Sequence, residues 1–139
     1  MKIDFIVLIL RFRLLIGGSY ILTTLLILFG TLMPNSDLPE YQILNYDKIM
    51  HVGAFMAWTL ATGINWRAFQ PKRVSLSILI IVPLLFGIAI EILQGILPTD
   101  RSPEWIDIIF DALGTFLGIL IYLLLLSIKD QSERIKSEH

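Results

Sequence analysis

Acidic, amide and imidazole side chains interrupt the apolar stretches of this sequence at helical spacing. They form three pairs, each three or four residues apart: Asp47 with His51, Glu91 with Gln94, and Asp107 with Asp111. On a helix, residues at these spacings lie on one face, so each pair could present two polar groups together. Carboxylates beside one histidine could act as general acid and base, or could hold a divalent cation through oxygen ligands.

Glu91 and Asp111 lie inside apolar segments, away from the segment ends. A charge at the centre of a bilayer costs about 2.5–3.5 kcal/mol on insertion scales, so each carboxyl needs a proton, a partner or a bound ion. Lys48 and Arg101 are the expected partners, because they are the only cations on that side of the predicted bundle. The sequence therefore predicts one site that gathers the ligand-binding candidates Asp47, Lys48, His51, Glu91, Gln94, Arg101, Asp107 and Asp111.

Simpler interpretations exist for several of these residues. Asp107 could have no role beyond stabilising the N-terminus of its helix through the helix dipole. Asp47 and Lys48 could be ordinary loop charges. His51 could be a buried histidine with satisfied hydrogen bonds. The whole set could also be a polar cluster that fixes the register of the helices.

The long apolar stretches themselves are typical of a membrane protein. Hydrophobic residues make up 55% of the 139 residues, and the mean hydropathy is +0.75. Four stretches are near the roughly 20 residues that a helix needs to cross a bilayer: Leu14–Met33, Ile49–Trp66, Val74–Leu97 and Trp105–Ile128. The alternation of a β-barrel is absent, and an open sheet cannot exist in lipid. The sequence predicts an all-α polytopic membrane protein with four transmembrane helices in a compact bundle.

Basic residues set the predicted orientation. Nine of the 11 Lys and Arg residues lie at the chain ends or between the second and third stretches, whereas Lys48 and Arg101 lie in the other two connections. By the positive-inside rule both termini are cytoplasmic, and the polar pairs lie at the extracytoplasmic end. This predicts a cytoplasmic or interfacial segment at 1–13, a transmembrane domain at 14–128 and a cytoplasmic tail at 129–139.

Several functions are excluded by composition. There is no cysteine, so the chain has no disulfide, thiol nucleophile or thiolate metal site. The net charge of −1 comes without a basic stripe, which argues against nucleic acid as a partner. His139 is in the tail, which leaves His51 alone and excludes a zinc site of several histidines.

Four motifs follow one another on the same side of the predicted membrane: D-K-x-x-H at 47–51, E-x-x-Q at 91–94, R-x5-D at 101–107 and G-x-x-x-G at 114–118. In this order they resemble the VanZ-like family of small bacterial membrane proteins, over roughly residues 14–128. The family usually carries Asn four residues after the Asp, where this chain has Asp111. The resemblance implies a multi-pass protein of the bacterial cytoplasmic (inner) membrane. The namesake of the family is linked to resistance to teicoplanin, a glycopeptide antibiotic, so the resemblance also implies a candidate role in glycopeptide resistance.

Three functions fit these residues. The protein could bind the headgroup of a lipid-linked or cell-envelope molecule, with the lipid bilayer as its other partner. It could instead be a membrane enzyme acting on a lipid or cell-wall precursor at the outer leaflet, or an accessory structural subunit. The additional acid at Asp111 favours a bound divalent cation, or a cationic or hydroxyl-rich ligand, over an unassisted phosphate.

Overall fold

The computed structural model describes residues 2–33, 46–70, 72–98 and 103–137. These residues form four helices: α1 (Lys2–Leu32), α2 (Tyr46–Phe69), α3 (Leu76–Ile96) and α4 (Trp105–Ser137). No strand occurs in the described ranges, so the all-α prediction is confirmed. Helix α1 begins at Lys2, so the residues before Leu14 extend the first helix, and α4 runs on through most of the polar tail.

Local sequence explains where several helices begin. The Ser75 hydroxyl accepts a hydrogen bond from the Ile78 N–H, which caps the start of α3. Asp47 and Asp107 lie in the first turns of α2 and α4, where a carboxylate favours the positive end of the helix dipole. The same two acids thus help to start the helices that carry the rest of the site.

Three of the four helices are long and apolar enough to cross a membrane by length and composition: Phe12–Leu32, Leu76–Ile96 and Trp105–Ile128. The prediction of four such helices is therefore confirmed only for α1, α3 and α4. Helix α2 falls short because it carries charged residues near both ends and several polar residues in its interior. His51, Thr59 and Thr62 on α2 are buried, so these polar groups face neighbouring helices.

The burial pattern differs from that of a water-soluble protein, in which buried residues are mostly apolar and large apolar patches are rarely exposed. Apolar side chains cover the outside of all four helices, among them Leu25, Ile81, Leu85, Phe116 and Leu124. The buried set is instead rich in polar residues: Thr31, His51, Thr59, Thr62, Glu91, Gln94, Asp107, Asp111 and Thr115. Apolar residues such as Phe55, Leu79 and Ile90 are buried beside these polar groups. An apolar exterior around an interior that holds polar groups suits a bundle whose surroundings are hydrocarbon.

Glycines bring α2 and α4 close together. A Cβ atom on Gly114 would overlap the backbone carbonyl of Val52, and one on Gly118 would lie 2.6 Å from the carbonyl oxygen of Met56. Small residues four apart allow helix backbones to approach in this way, as the G-x-x-x-G spacing predicts. The partner helix is α2, so the least apolar helix is held tightly against the long α4.

Aromatic rings join the other helices to α2. The Trp58 ring stacks on Tyr20 of α1 at 5.7 Å and on Phe86 of α3 at 4.4 Å between ring centroids. The Trp58 Nε1–H also donates to the Thr24 hydroxyl at 2.8 Å. Helix α2 is therefore the central element, in contact with each of the other three.

Candidate functional site

The predicted site residues come from one end of the bundle. Helices α2 and α4 begin there, and helices α1 and α3 end there, so four chain segments meet. We call Asp47, His51, Glu91, Asp107 and Asp111 the polar cluster. His51, Glu91, Asp107 and Asp111 are each no more than 3% exposed, so the cluster lies within the protein.

His51 and Asp111 form the core of the polar cluster. The Nδ1 atom of His51 lies 2.7 Å from Oδ1 of Asp111, and the two residues are 2% and 1% exposed. A carboxylate can only accept hydrogen bonds, so Nδ1 carries the hydrogen and donates it. In the neutral imidazole the lone pair is then on Nε2, on the opposite side of the ring from Asp111.

The Nε2 atom of His51 faces a second carboxylate, that of Asp107. It lies 3.8 Å from Oδ2 of Asp107, which is too long for a hydrogen bond. Asp47, His51 and Asp107 each offer one ligand atom such that all three atoms lie within 4.8 Å of one another. The two i,i+4 pairs recognised in the sequence thus meet across the contact between α2 and α4.

Glu91 has a backbone partner that the sequence analysis did not predict. Its Oε2 atom accepts a hydrogen bond of 2.7 Å from the backbone N–H of Glu104, just before α4. The first amides of a helix lack partners within the helix, so a carboxylate from α3 can satisfy one of them. Glu91 therefore connects the end of α3 to the start of α4.

Gln94 and Lys48 lie at the edge of this arrangement. The Gln94 Nε2 donates to the carbonyl oxygen of Thr31 at 2.8 Å, which ties α3 to the last turn of α1. The Lys48 Nζ lies 6.0 Å from the centroid of the Phe110 ring, as in a cation–π contact. Arg101, the other expected cation, lies outside the described residues.

Four polar atoms of the cluster remain without a hydrogen bond. Among the residues that the structure describes, these buried atoms have no donor or acceptor in reach: His51 Nε2, Glu91 Oε1, Asp107 Oδ1 and Asp111 Oδ2. Buried polar groups are hydrogen-bonded in the great majority of cases. Four such atoms, three carboxylate oxygens and one imidazole nitrogen, therefore lie at the same end of the bundle.

Comparison with known proteins identifies the family. The VanZ/LLP1 family model matches residues 5–126, which is most of the chain. The chain belongs to the VanZ-like family. No curated protein and no solved structure matches it. The resemblance drawn from the four motifs is thereby confirmed.

Two residues of this VanZ-like protein contribute to the site without being predicted. Glu104 contributes its backbone N–H to Glu91, and a backbone group has no signature in the sequence. Gly87 lies so close to the Asp111 carboxylate that an added Cβ would be 2.5 Å from Oδ2. Gly87 is four residues before Glu91 and therefore lies on the same face of the helix. This spacing could have predicted from the sequence that Gly87 lies near the site.

Proposed function

We propose that this VanZ-like protein binds the polar headgroup of a lipid-linked or cell-envelope molecule in the polar cluster. The observation that carries the proposal is the set of buried atoms without hydrogen-bond partners on His51, Glu91, Asp107 and Asp111. Each unsatisfied buried group costs about 1–3 kcal/mol, so a ligand that supplies donors would gain that free energy. A headgroup rich in hydroxyls offers such donors and can stay joined to its lipid tail.

The proposal includes the membrane arrangement expected from the sequence. Helix α2 crosses the membrane as a fourth span, because α4 and the neighbouring helices cover its polar residues. Both termini are in the cytoplasm of a bacterial inner membrane, and the polar cluster faces the extracytoplasmic side. The distribution of basic residues supports this orientation. An outer-leaflet headgroup then lies at the level of the cluster.

The charges of the cluster favour hydroxyl or cationic groups over a bare phosphate. Of the four acids in the cluster, Asp47, Asp107 and Asp111 lie near its one histidine, and the Lys48 ammonium lies over the Phe110 ring. Carboxylate oxygens accept hydrogen bonds and repel anions. A role for Arg101 in contacting phosphate stays a prediction from the sequence.

A second candidate is a membrane enzyme acting on a lipid or cell-wall precursor. The hydrogen bond from His51 to Asp111 favours it, because a carboxylate that holds Nδ1–H leaves Nε2 as a general base. Hydrolysis of a lipid-linked precursor by the purified protein, lost in His51→Gln, would replace the binding proposal by this one. The link to glycopeptide resistance is a property of the family's namesake and stays a prediction here.

The lipids that copurify with the protein test the binding proposal. The wild type, Glu91→Gln and Asp107→Asn would be purified from native membranes in mild detergent, and the bound lipids identified by mass spectrometry. Asp130→Asn is the matched control, since Asp130 is an exposed acid at the other end of α4 that pairs with Arg73. We expect one polar-headgroup species to fall at least tenfold in the two site variants and to stay unchanged in the control.

An unchanged lipid profile in folded site variants would contradict the proposal. If the lipid profile were unchanged and the site variants were less thermally stable than the wild type, the polar cluster would serve only to hold the helices together. The third function, an accessory structural subunit, would then be the better interpretation.

A further inference from the structure

We infer that Asp47, His51 and Asp107 bind a divalent transition-metal ion, with Asp111 as the residue that orients the imidazole. This goes beyond the headgroup proposal and does not depend on it. The site joins two helices, since Asp47 and His51 lie on α2 and Asp107 lies on α4. No local sequence motif contains all three ligands.

The distances suit a metal ion. The three candidate ligand atoms lie within 4.8 Å of one another, and His51 Nε2 is 3.8 Å from Asp107 Oδ2. Ligand atoms at about 2.1 Å from a metal are about 3.4 Å apart when the coordination is tetrahedral. Two atoms 4.8 Å apart would have to approach by about 1.4 Å to reach that spacing, a movement that rotation of both side chains can share.

A second observation points to a ligand rather than to a mere acidic cluster. His51 is 2% exposed, and its Nε2 atom, which faces Asp107, has no hydrogen bond among the described residues. Asp107 is 3% exposed, and its Oδ1 atom, the other oxygen of the carboxylate whose Oδ2 lies 3.8 Å from that nitrogen, also has no hydrogen bond among the described residues. A nitrogen lone pair and a carboxylate oxygen, both buried and both without a hydrogen donor, are the two atom types that a metal ion joins.

Asp111 contacts the ring nitrogen of His51 that is not the candidate metal ligand. Metal-bound histidines usually donate their other ring N–H to a carboxylate or carbonyl, which fixes the tautomer and the ring orientation. The 2.7 Å bond from His51 Nδ1 to Asp111 has this geometry, and the His51 ring also stacks on Phe55 with 7° between the planes. Asp111 is therefore a positioning residue, and its loss should weaken metal binding without removing a ligand.

The donor set indicates the class of metal. One imidazole nitrogen with two carboxylates suits Mn²⁺, Fe²⁺ or Zn²⁺, whereas Ca²⁺ and Mg²⁺ prefer oxygen ligands alone. The dication would also offset part of the negative charge of the polar cluster. Water or a headgroup oxygen would complete the coordination, which would place any bound headgroup beside the metal.

The metal can be measured directly. Purified protein in detergent would be stripped with EDTA and titrated with MnCl₂, and the bound ion followed by electron paramagnetic resonance. We expect one Mn²⁺ per chain, with nitrogen modulation of the spin echo from the His51 ring, and displacement by equimolar Zn²⁺ because Zn²⁺ binds N/O sites more tightly. Equimolar Mg²⁺ or Ca²⁺ should not displace it.

Three variants refine the test. Asp107→Asn should weaken Mn²⁺ binding at least tenfold, and Asp111→Asn should weaken it by about 10–100-fold while the nitrogen modulation remains. Asp130→Asn, the control at the other end of α4, should bind as the wild type does.

The inference is overturned if the wild type binds neither Mn²⁺ nor Zn²⁺, if bound Mn²⁺ shows no nitrogen modulation, or if Ca²⁺ or Mg²⁺ displaces it at equal concentration. The wild-type spectra decide these points even if a variant fails to fold. Metal content and copurified lipid are separate readings, so either proposal can fail while the other stands.

Discussion

The Nδ1 atom of His51 lies 2.7 Å from Oδ1 of Asp111, although the two residues are 60 positions apart in the sequence. The pair lies just beside the closest approach of α2 and α4, where Gly114 meets the carbonyl of Val52. Val52 follows His51 directly, and Gly114 comes one turn after Asp111. The glycine contact and the hydrogen bond therefore depend on the same register between the two helices.

Gly114→Ala tests this dependence. The added methyl group would overlap the Val52 carbonyl, so the helices must separate, at a cost of about 1–3 kcal/mol. Gly53→Ala on α2 is the control, since nothing lies within 4 Å of the position of its Cβ. We expect a lower midpoint of thermal unfolding in detergent for Gly114→Ala and for Gly118→Leu only. Equal stability of Gly114→Ala and Gly53→Ala would mean that α4 does not pack on α2 through this face.

A double-mutant cycle on His51 and Asp111 measures their coupling. Removing one partner leaves the other buried without its bond, so His51→Ala and Asp111→Ala should each destabilise the bundle. The double variant should be less destabilised than the sum of the two, by about 0.5–3 kcal/mol. Reversible unfolding in mixed micelles gives the three free energies. Strict additivity would contradict a bond between the two side chains.

The contributions of Glu91 to protein stability and to ligand binding can be measured separately. Glu91→Gln keeps an oxygen that can accept from the Glu104 N–H, so stability should stay close to that of the wild type. Glu91→Ala removes the acceptor and should cost about 1–3 kcal/mol. Retained lipid should nevertheless fall in Glu91→Gln, because an NH₂ group replaces the free oxygen. A folded Glu91→Gln protein that retained all its lipid would remove Glu91 from the ligand site.

Labelling of introduced cysteines tests the membrane arrangement. The chain has no cysteine of its own, so Asp37→Cys and Gln70→Cys each supply a single thiol on either side of α2. We expect an impermeant maleimide to label position 37 in intact cells and position 70 only after permeabilisation. Labelling of both positions in intact cells would show that α2 does not cross the membrane, and the reverse pattern would invert the bundle.

The sequence predicted the helices better than it predicted their contacts. Apolar length alone located α1, α3 and α4, and spacing within a helix paired Asp47 with His51 and Asp107 with Asp111. Which face of α2 meets α4 depends on packing between helices, so the hydrogen bond from His51 to Asp111 could not be read from the spacing. The pairing of Glu91 with a backbone N–H was hidden for another reason, since every residue except proline carries that group.

An experimental structure of the protein purified with its native lipids is the most direct test of a ligand site in the polar cluster. We predict density that does not belong to the chain within hydrogen-bond or coordination distance of His51 Nε2 and Glu91 Oε1. If both atoms are instead satisfied by other side chains of the same molecule, with no additional density, the cluster is structural and the binding proposal is wrong.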